Sequence, residues 1–200
     1  MLPKIKFVYS SIYDRLRKDS PMMKKFLKKQ NKSYPSIKKI IKYMGDVEKL
    51  WKKDENLILR EISKLTRLKW KEKEIKCYVI GFGRGFSDPL TLSLYKNKKD
   101  FIDALTHELI HQIQSQNEKK FRKWGKKFLS IKYKKESRST KSHIFLHSVL
   151  KALYLKLFGK KRLKKIINFD KNFKDYKRAW EIVEEEGHEN IIKKFRELTK

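Results

Sequence analysis

The sequence predicts an α+β fold that is mostly helical and carries one small antiparallel sheet. Two observations lead to this prediction. Apolar residues recur at helical spacing along most of the 200 residues, whereas residues 75–95 change to the β-branched, aromatic and alternating patterns typical of strands. Hydrophobic residues make up 39% of the chain, so a chain of this length can bury a core despite its many charges.

The N-terminal part of the chain is predicted to differ from the rest. Residues 1–34 are very basic, and we expect short helices or a loosely attached arm there, followed by one domain over residues 35–200. Between residues 36 and 70 the apolar positions follow a helical period. We expect Gly45 and Asp46 to separate two helices in that stretch.

Two segments in the middle of the chain are predicted strands. Residues 75–82 are β-branched and aromatic, and residues 90–95 alternate apolar with polar side chains. The glycine-rich residues 81–85 lie between them, so we expect an antiparallel hairpin or meander. A phosphate-binding loop is disfavoured because no helix follows the glycines directly.

The remainder of the chain is predicted to be helical. Asn97 or Asp100 is suited to cap a helix that runs to about Gln116, and Gly159 and Gly187 fall where later helices should end. The later helices are expected at about 118–130, 142–158, 160–168, 173–187 and 189–198.

Charge is the most unusual property of the composition. The chain has 53 Lys and Arg against 23 Asp and Glu, which gives a net charge of +30 and an attraction to polyanions. Its single cysteine, Cys77, excludes an intramolecular disulfide framework and a cysteine-based metal site. The chain has neither a secretory apolar segment nor about 18 consecutive apolar residues. We therefore expect a cytoplasmic protein without a membrane partner.

Residues 106–112, with the sequence THELIHQ, carry the clearest chemical signal. His107 and His111 are four residues apart and project from the same face of a helix, at the spacing that lets two imidazoles bind one zinc ion. Glu108 lies between them, within reach of a water molecule on the metal as a general base.

Two further observations favour a metal site over a chance motif, which a chain of this composition contains in about 1% of cases. On a helical wheel the apolar residues form one arc, and the two histidines point away from it. No Lys or Arg occurs from Asp100 to Glu118, although more than a quarter of the chain is basic. A nearby dication explains this gap, and so does a buried helix.

A catalytic zinc needs a third protein ligand. His143 and His147 are again four residues apart, on an apolar segment that should be a buried helix. One of them is expected to bind the metal and the other to support a ligand, and the sequence leaves open which. In the alternative, both are core histidines and a carboxylate such as Glu136 is the third ligand. His188 is expected to be inert.

At these residues the chain resembles the zincin metallopeptidases, whose active-site helix carries the motif HExxH. The resemblance covers residues 72–158 and implies a zincin-like domain with its sheet before the HExxH helix. The short spacing to a third histidine found in metzincins is absent, and where gluzincins have a glutamate the chain has His143 and His147. A third histidine at longer range is similar to the SprT-like proteases, and the size suits a minimal archaeal zincin.

The resemblance implies a zinc metallopeptidase that hydrolyses peptide bonds with one Zn²⁺ per chain. Zinc would be held by His107, His111 and either His143 or His147, and Glu108 would activate the water bound to the metal. The expected partner is a protein or peptide substrate, with non-specific nucleic acid as a second partner through the lysine-rich surface.

Two alternative functions stay open at this point. The chain could be a basic nucleic-acid-binding protein whose metal site is structural, although its charge is spread evenly, at +16 over residues 1–100 and +14 over residues 101–200. It could also be an inactive scaffold with a zincin fold, because an intact motif does not by itself establish turnover.

Overall fold

The computed structural model of the protein describes all 200 residues and has the predicted α+β class: a small four-stranded sheet among many helices. The strands are β1 (Lys4–Tyr9), β2 (Glu74–Ile80), β3 (Phe86–Ser87) and β4 (Leu90–Ser93). The helices are α1 (Ser11–Asp19), α2 (Pro21–Lys29), α3 (Ile37–Trp51), α4 (Glu55–Thr66), α5 (Lys98–Gln116), α6 (Glu118–Trp124), α7 (Ser130–Lys132), α8 (Arg138–Leu157), α9 (Gly159–Asp170), α10 (Lys174–Glu186) and α11 (His188–Leu198), with a π-helical turn at Gly125–Leu129. None of the helices combines the length and the apolar character that crossing a membrane requires.

The sheet is mixed, which corrects the prediction of an antiparallel sheet. The strand order is β1-β2-β4-β3, and β2 pairs in parallel with both β1 and β4. Only β3 and β4 form an antiparallel pair, with Phe86 opposite Thr91. The two predicted strands therefore do not form a hairpin, because the chain reverses direction twice between them and β3 occupies the intervening segment.

The chain divides into two compact units. Unit 1 consists of Met1–Leu57 and Glu72–Gln112, and unit 2 consists of Ile58–Lys71 and Ile113–Lys200. Helices α4 and α5 each contribute residues to both units. The division into an arm over residues 1–34 and a domain over residues 35–200 stays a prediction.

In unit 1 the basic N-terminal segment forms the two short helices α1 and α2 and also the strand β1, which the sequence analysis did not predict. Asp14 on α1 is buried and ties this segment to the sheet. Its carboxylate accepts hydrogen bonds from the hydroxyls of Tyr9 and Tyr34, at 3.1 and 2.5 Å, and from the amide of Gly81, at 2.9 Å. A Cβ on Gly81 would lie 2.5 Å from the ring of Tyr34, so this close approach requires glycine.

Helix α3 runs through Gly45 and Asp46, so the helix break predicted there does not occur. A glycine inside a helix costs about 1 kcal/mol relative to alanine. Three side chains of α3, those of Ile40, Val47 and Trp51, are fully buried on both sides of Gly45. Their burial outweighs the cost of the glycine, since each large apolar side chain contributes about 1.5–3 kcal/mol.

Unit 2 is built around α8, which is buried on almost every face from His143 to Leu150. Helices α9, α10 and α11 pack against it. Phe145 of α8 contacts Trp124 and Phe195, with ring centroids 5.4 and 4.2 Å apart. Because its neighbours surround α8, polar side chains on this helix are held in fixed positions.

Candidate metal centre

Helix α5 carries the HExxH motif on its more exposed face. Asn97 accepts a hydrogen bond from the amide of Lys99 at 2.9 Å and so acts as one of the two predicted caps. Phe101, Leu105 and Leu109 are fully buried along the opposite side of the helix. The apolar arc thereby fixes the rotation of α5 and directs the motif away from the core, as the helical period predicts.

His107 and His111 lie on successive turns of α5. Their ring centroids are 5.2 Å apart, the ring planes are inclined by 69°, and both residues are partly exposed. The helix thus presents two imidazoles side by side, as the sequence spacing predicts.

One ring nitrogen of His143 on α8 is held by the backbone of its own helix. Its Nδ1 lies 2.8 Å from the carbonyl oxygen of Ser139, and a carbonyl can only accept a hydrogen bond. Nδ1 therefore carries the proton, and Nε2 has the lone pair with which a neutral histidine binds a metal. A second-sphere carbonyl of this kind is the usual way of orienting a metal-binding imidazole.

The structure brings three of the predicted residues together. His107, His111 and His143 each offer one ring nitrogen, and these three atoms all lie within 4.8 Å of one another, close enough to bind one metal ion. Three neutral imidazoles fit zinc better than magnesium or calcium, which prefer oxygen ligands. Catalytic zinc sites in general have three protein ligands, which is the number of histidines in this cluster.

Glu108 follows the first of these histidines on α5. Burial of its carboxyl raises the pKa of Glu108 to about 7, and the positive charge of Arg84 acts in the opposite direction. The segment before β3 also approaches this carboxylate. A Cβ on Gly85 would lie 2.7 Å from Cδ2 of Leu92 and 3.4 Å from Oε1 of Glu108, so the absence of a side chain there allows the backbone to come close.

A hydrogen bond fastens the same segment to the next turn of α5. The side-chain amide of Gln112 donates to the carbonyl oxygen of Ser87. Because Gln112 is four residues after Glu108, the two side chains contact the β3 region from one face of the helix. The segment from Gly85 to Ser87 therefore lies directly beside the carboxylate of Glu108.

His147 lies in a different environment from His143. It is fully buried, and its ring stacks on Trp180 with 4.2 Å between centroids and an angle of 10°. Its Nε2 lies 3.6 Å from Oδ2 of Asp170, which accepts a hydrogen bond from the indole of Trp180 at 2.9 Å. His147 thus packs where α8, α9 and α10 meet and is not a member of the three-histidine cluster.

The other two predicted candidates also lie outside the cluster. Glu136 accepts a hydrogen bond from Nε of Arg178 at 2.9 Å, and so the carboxylate considered as an alternative ligand is held in an ion pair. His188 begins α11, and burial together with the positive charge of Lys151 lowers its pKa.

Two groups that contact His143 could not be predicted from the sequence. The Ser139 carbonyl selects the tautomer of His143, and the ring of Tyr176 lies 4.0 Å from the ring of His143. A backbone carbonyl leaves no signal in the sequence, and Tyr176 is one of nine tyrosines with no motif around it.

Comparison with known proteins finds no relative: no protein family, no curated protein and no solved structure matches this chain.

Proposed function

We propose that the protein is a zinc-dependent metallopeptidase that hydrolyses peptide bonds. The observation that carries the proposal is the cluster of His107, His111 and His143, with Glu108 next to the first histidine on the same helix. This combination supplies three neutral nitrogen ligands, an open fourth position and a carboxylate at one site. The resemblance of residues 72–158 to zincins, in particular to SprT-like proteases, also supports the proposal.

The three histidines would hold the metal, and the carboxylate would move protons. Zinc, when bound, supplies Lewis-acid chemistry, because it lowers the pKa of water and polarises a peptide carbonyl. Glu108 accepts a proton from the attacking water and passes it to the nitrogen of the leaving amine. The Ser139 carbonyl places the proton of the neutral His143 ring on Nδ1, so that Nε2 is the atom that would bind the metal. The backbone at Gly85 lies close beside the carboxylate of Glu108.

A second candidate function rests on the charge of the chain. A net charge of +30 favours binding to a polyanion, and in that reading the metal site is structural and the protein binds nucleic acid. The presence of Glu108 beside the histidines favours the peptidase, because a structural metal site needs no additional carboxylate. An inactive zincin-like scaffold is the third reading, and an assay for hydrolysis distinguishes it.

The test of the peptidase is the variant Glu108→Gln. The amide is close in shape to the carboxylate but cannot accept the proton of water, so we expect zinc content and thermal stability to be retained and hydrolysis of an unfolded protein substrate to fall by about 100-fold or more. The matched control is Glu189→Gln, at an exposed glutamate on α11, which should hydrolyse at the wild-type rate. Hydrolysis by Glu108→Gln at the wild-type rate would exclude Glu108 as the base.

A further inference from the structure

Two large apolar side chains are exposed near the end of α9. Phe169, in the last turn of α9, is 59% exposed, and Phe173, just before α10, is 38% exposed. The amide of Asn172 donates to the carbonyl of Phe169, and the amide of Phe173 donates to the carbonyl of Asp170. The backbone thus holds the two rings in place at the surface of unit 2.

These rings form a continuous series that ends at His143. The centroids of Phe169 and Phe173 are 5.8 Å apart, and those of Phe173 and Tyr176 are 5.6 Å apart. Tyr176 in turn lies 4.0 Å from His143, with the ring planes inclined by 32°. We call the three residues Phe169, Phe173 and Tyr176 the aromatic shelf. All of it lies in unit 2, together with His143.

The exposed charged residues in the segment that carries the aromatic shelf are all lysines. Asp170 is buried, and the carboxylate of Asp175 accepts a hydrogen bond from the hydroxyl of Ser137 at 2.9 Å. The exposed charged residues between positions 164 and 177 are Lys164, Lys165, Lys171, Lys174 and Lys177. A partner with acidic groups therefore complements the charge here, and a partner with an apolar or aromatic group complements the exposed rings.

We propose that the aromatic shelf is a substrate-binding subsite. It receives a large apolar or aromatic side chain of a peptide that has acidic residues close by. The subsite lies near the scissile bond, since the shelf ends on the ring that packs against the candidate ligand His143. This inference rests on the proposed function, because it assigns the occupant as the substrate of the metal centre.

The continuity of the rings and the nearby positive charge both favour a peptide side chain as the occupant of the shelf. A series of rings that leads from the surface to a candidate metal ligand guides a side chain toward the centre, and each ring offers a face or an edge for stacking. Lysines on the rim add electrostatic attraction that depends on ionic strength. A single-stranded nucleic acid would also find bases to stack and positive charge nearby, so it is the competing occupant that the test includes.

The experiment measures peptide binding to zinc-loaded Glu108→Gln protein by fluorescence anisotropy. Three labelled peptides are compared: one with a phenylalanine flanked by aspartates, one with alanine for the phenylalanine, and one with asparagines for the aspartates. The shelf variants are Phe169→Ala and Phe173→Ala. The control is Ile131→Ala, at an apolar side chain that is 73% exposed on α7 of the same unit.

We expect the phenylalanine peptide to bind about three- to tenfold more tightly than the alanine peptide, which is the range of one aromatic contact. Phe169→Ala and Phe173→Ala should each reduce this preference, and Ile131→Ala should keep it. The asparagine peptide should bind more weakly than the aspartate peptide at low salt and equally at high salt.

Three results would overturn the proposal: no preference for phenylalanine, a preference that survives both shelf substitutions, or binding of a single-stranded oligonucleotide that Phe169→Ala weakens while no peptide binds. Hydrolysis is measured separately with the wild-type protein. Cleavage without preference for phenylalanine would contradict the shelf alone. Shelf-dependent binding without any cleavage would support the shelf and contradict the peptidase alone.

Discussion

At the scale of single residues, one hydrogen bond distinguishes the two histidines of α8. The Ser139 carbonyl fixes the proton of His143 on Nδ1, whereas His147 stacks on Trp180 and faces Asp170. The sequence predicts that one of the pair binds the metal but cannot say which. Both share the same helical edge, the Ser139 contact is made by a backbone carbonyl that no residue type signals, and Trp180 and Asp170 are distant in the chain. The placement of His107 and His111 side by side, with Glu108 next to the first of them, could be predicted because it depends on local helical spacing alone.

Single substitutions of the two α8 histidines should therefore have different effects. His143→Ala removes a proposed ligand, and we expect zinc affinity to collapse. His147→Ala removes a packed ring beside the centre and should cost at most about 10- to 100-fold in zinc affinity. Zinc affinity is measured by competition with a chelating dye, with His188→Ala as the control that should match the wild type. Equal and negligible losses for both variants would exclude α8 as the source of the third ligand.

At the scale of secondary-structure elements, the helices and the sheet differ in how well the sequence predicts them. The sequence predicts the HExxH helix from a cap at Asn97 or Asp100 to about Gln116, and α5 spans Lys98–Gln116. Its apolar period and its cap are local properties, so they can be recognised without tertiary information. The direction of strand pairing is not local. Strand β1 lies far from β2 in the sequence, so their pairing leaves no local signal. The glycine-rich segment between β2 and β4 is compatible with either a parallel or an antiparallel pairing of these two strands.

The junction of α8, α9 and α10 contains a buried carboxyl whose ionisation opposes folding. Burial raises the pKa of Asp170 to about 6 from its ordinary value of 3.8, although the hydrogen bond from Trp180 acts to lower it. A carboxyl with a higher pKa in the folded state binds a proton on folding. Its contribution favours the folded state fully below pH 3.8 and is lost as the pH rises through 6.

The variant Asp170→Asn should remove this dependence, since asparagine offers an oxygen to the Trp180 indole but cannot ionise. Relative to the wild type, the variant should gain stability between pH 4 and pH 7, by an amount on the order of 3 kcal/mol. The measurement is urea unfolding of chelator-treated protein across this pH range. Free energies of unfolding that run parallel for the two proteins would show that Asp170 does not titrate in this way.

At the scale of the whole molecule, the net charge of +30 is the property least explained by the metal centre. Lysine outnumbers arginine by 43 to 10, and bidentate recognition of bases relies on arginine. The charge is therefore expected to contact phosphates without reading sequence. The even division of charge between the two halves of the chain could be predicted from the sequence, but the exposure of the aromatic rings beside several lysines of the same segment required the fold.

Binding to nucleic acid should accordingly be non-specific and sensitive to salt. We expect two unrelated DNA duplexes to bind with equal affinity, and a plot of log affinity against log salt to have a slope that corresponds to several displaced counterions. The measurement is a salt titration with both duplexes and one single strand. A strong preference for one duplex would contradict non-specific binding, and no binding at low salt would remove nucleic acid as a partner.

The three-histidine cluster carries the proposed function, and the metal content of the purified protein tests it most directly. After growth in zinc-replete medium we expect about one zinc per chain by elemental analysis, because three imidazoles form a complete protein ligand set for a catalytic zinc. His107→Ala should lose the zinc, whereas His188→Ala should keep it. A wild-type protein that carries no stoichiometric metal and binds none on titration with zinc would contradict the account.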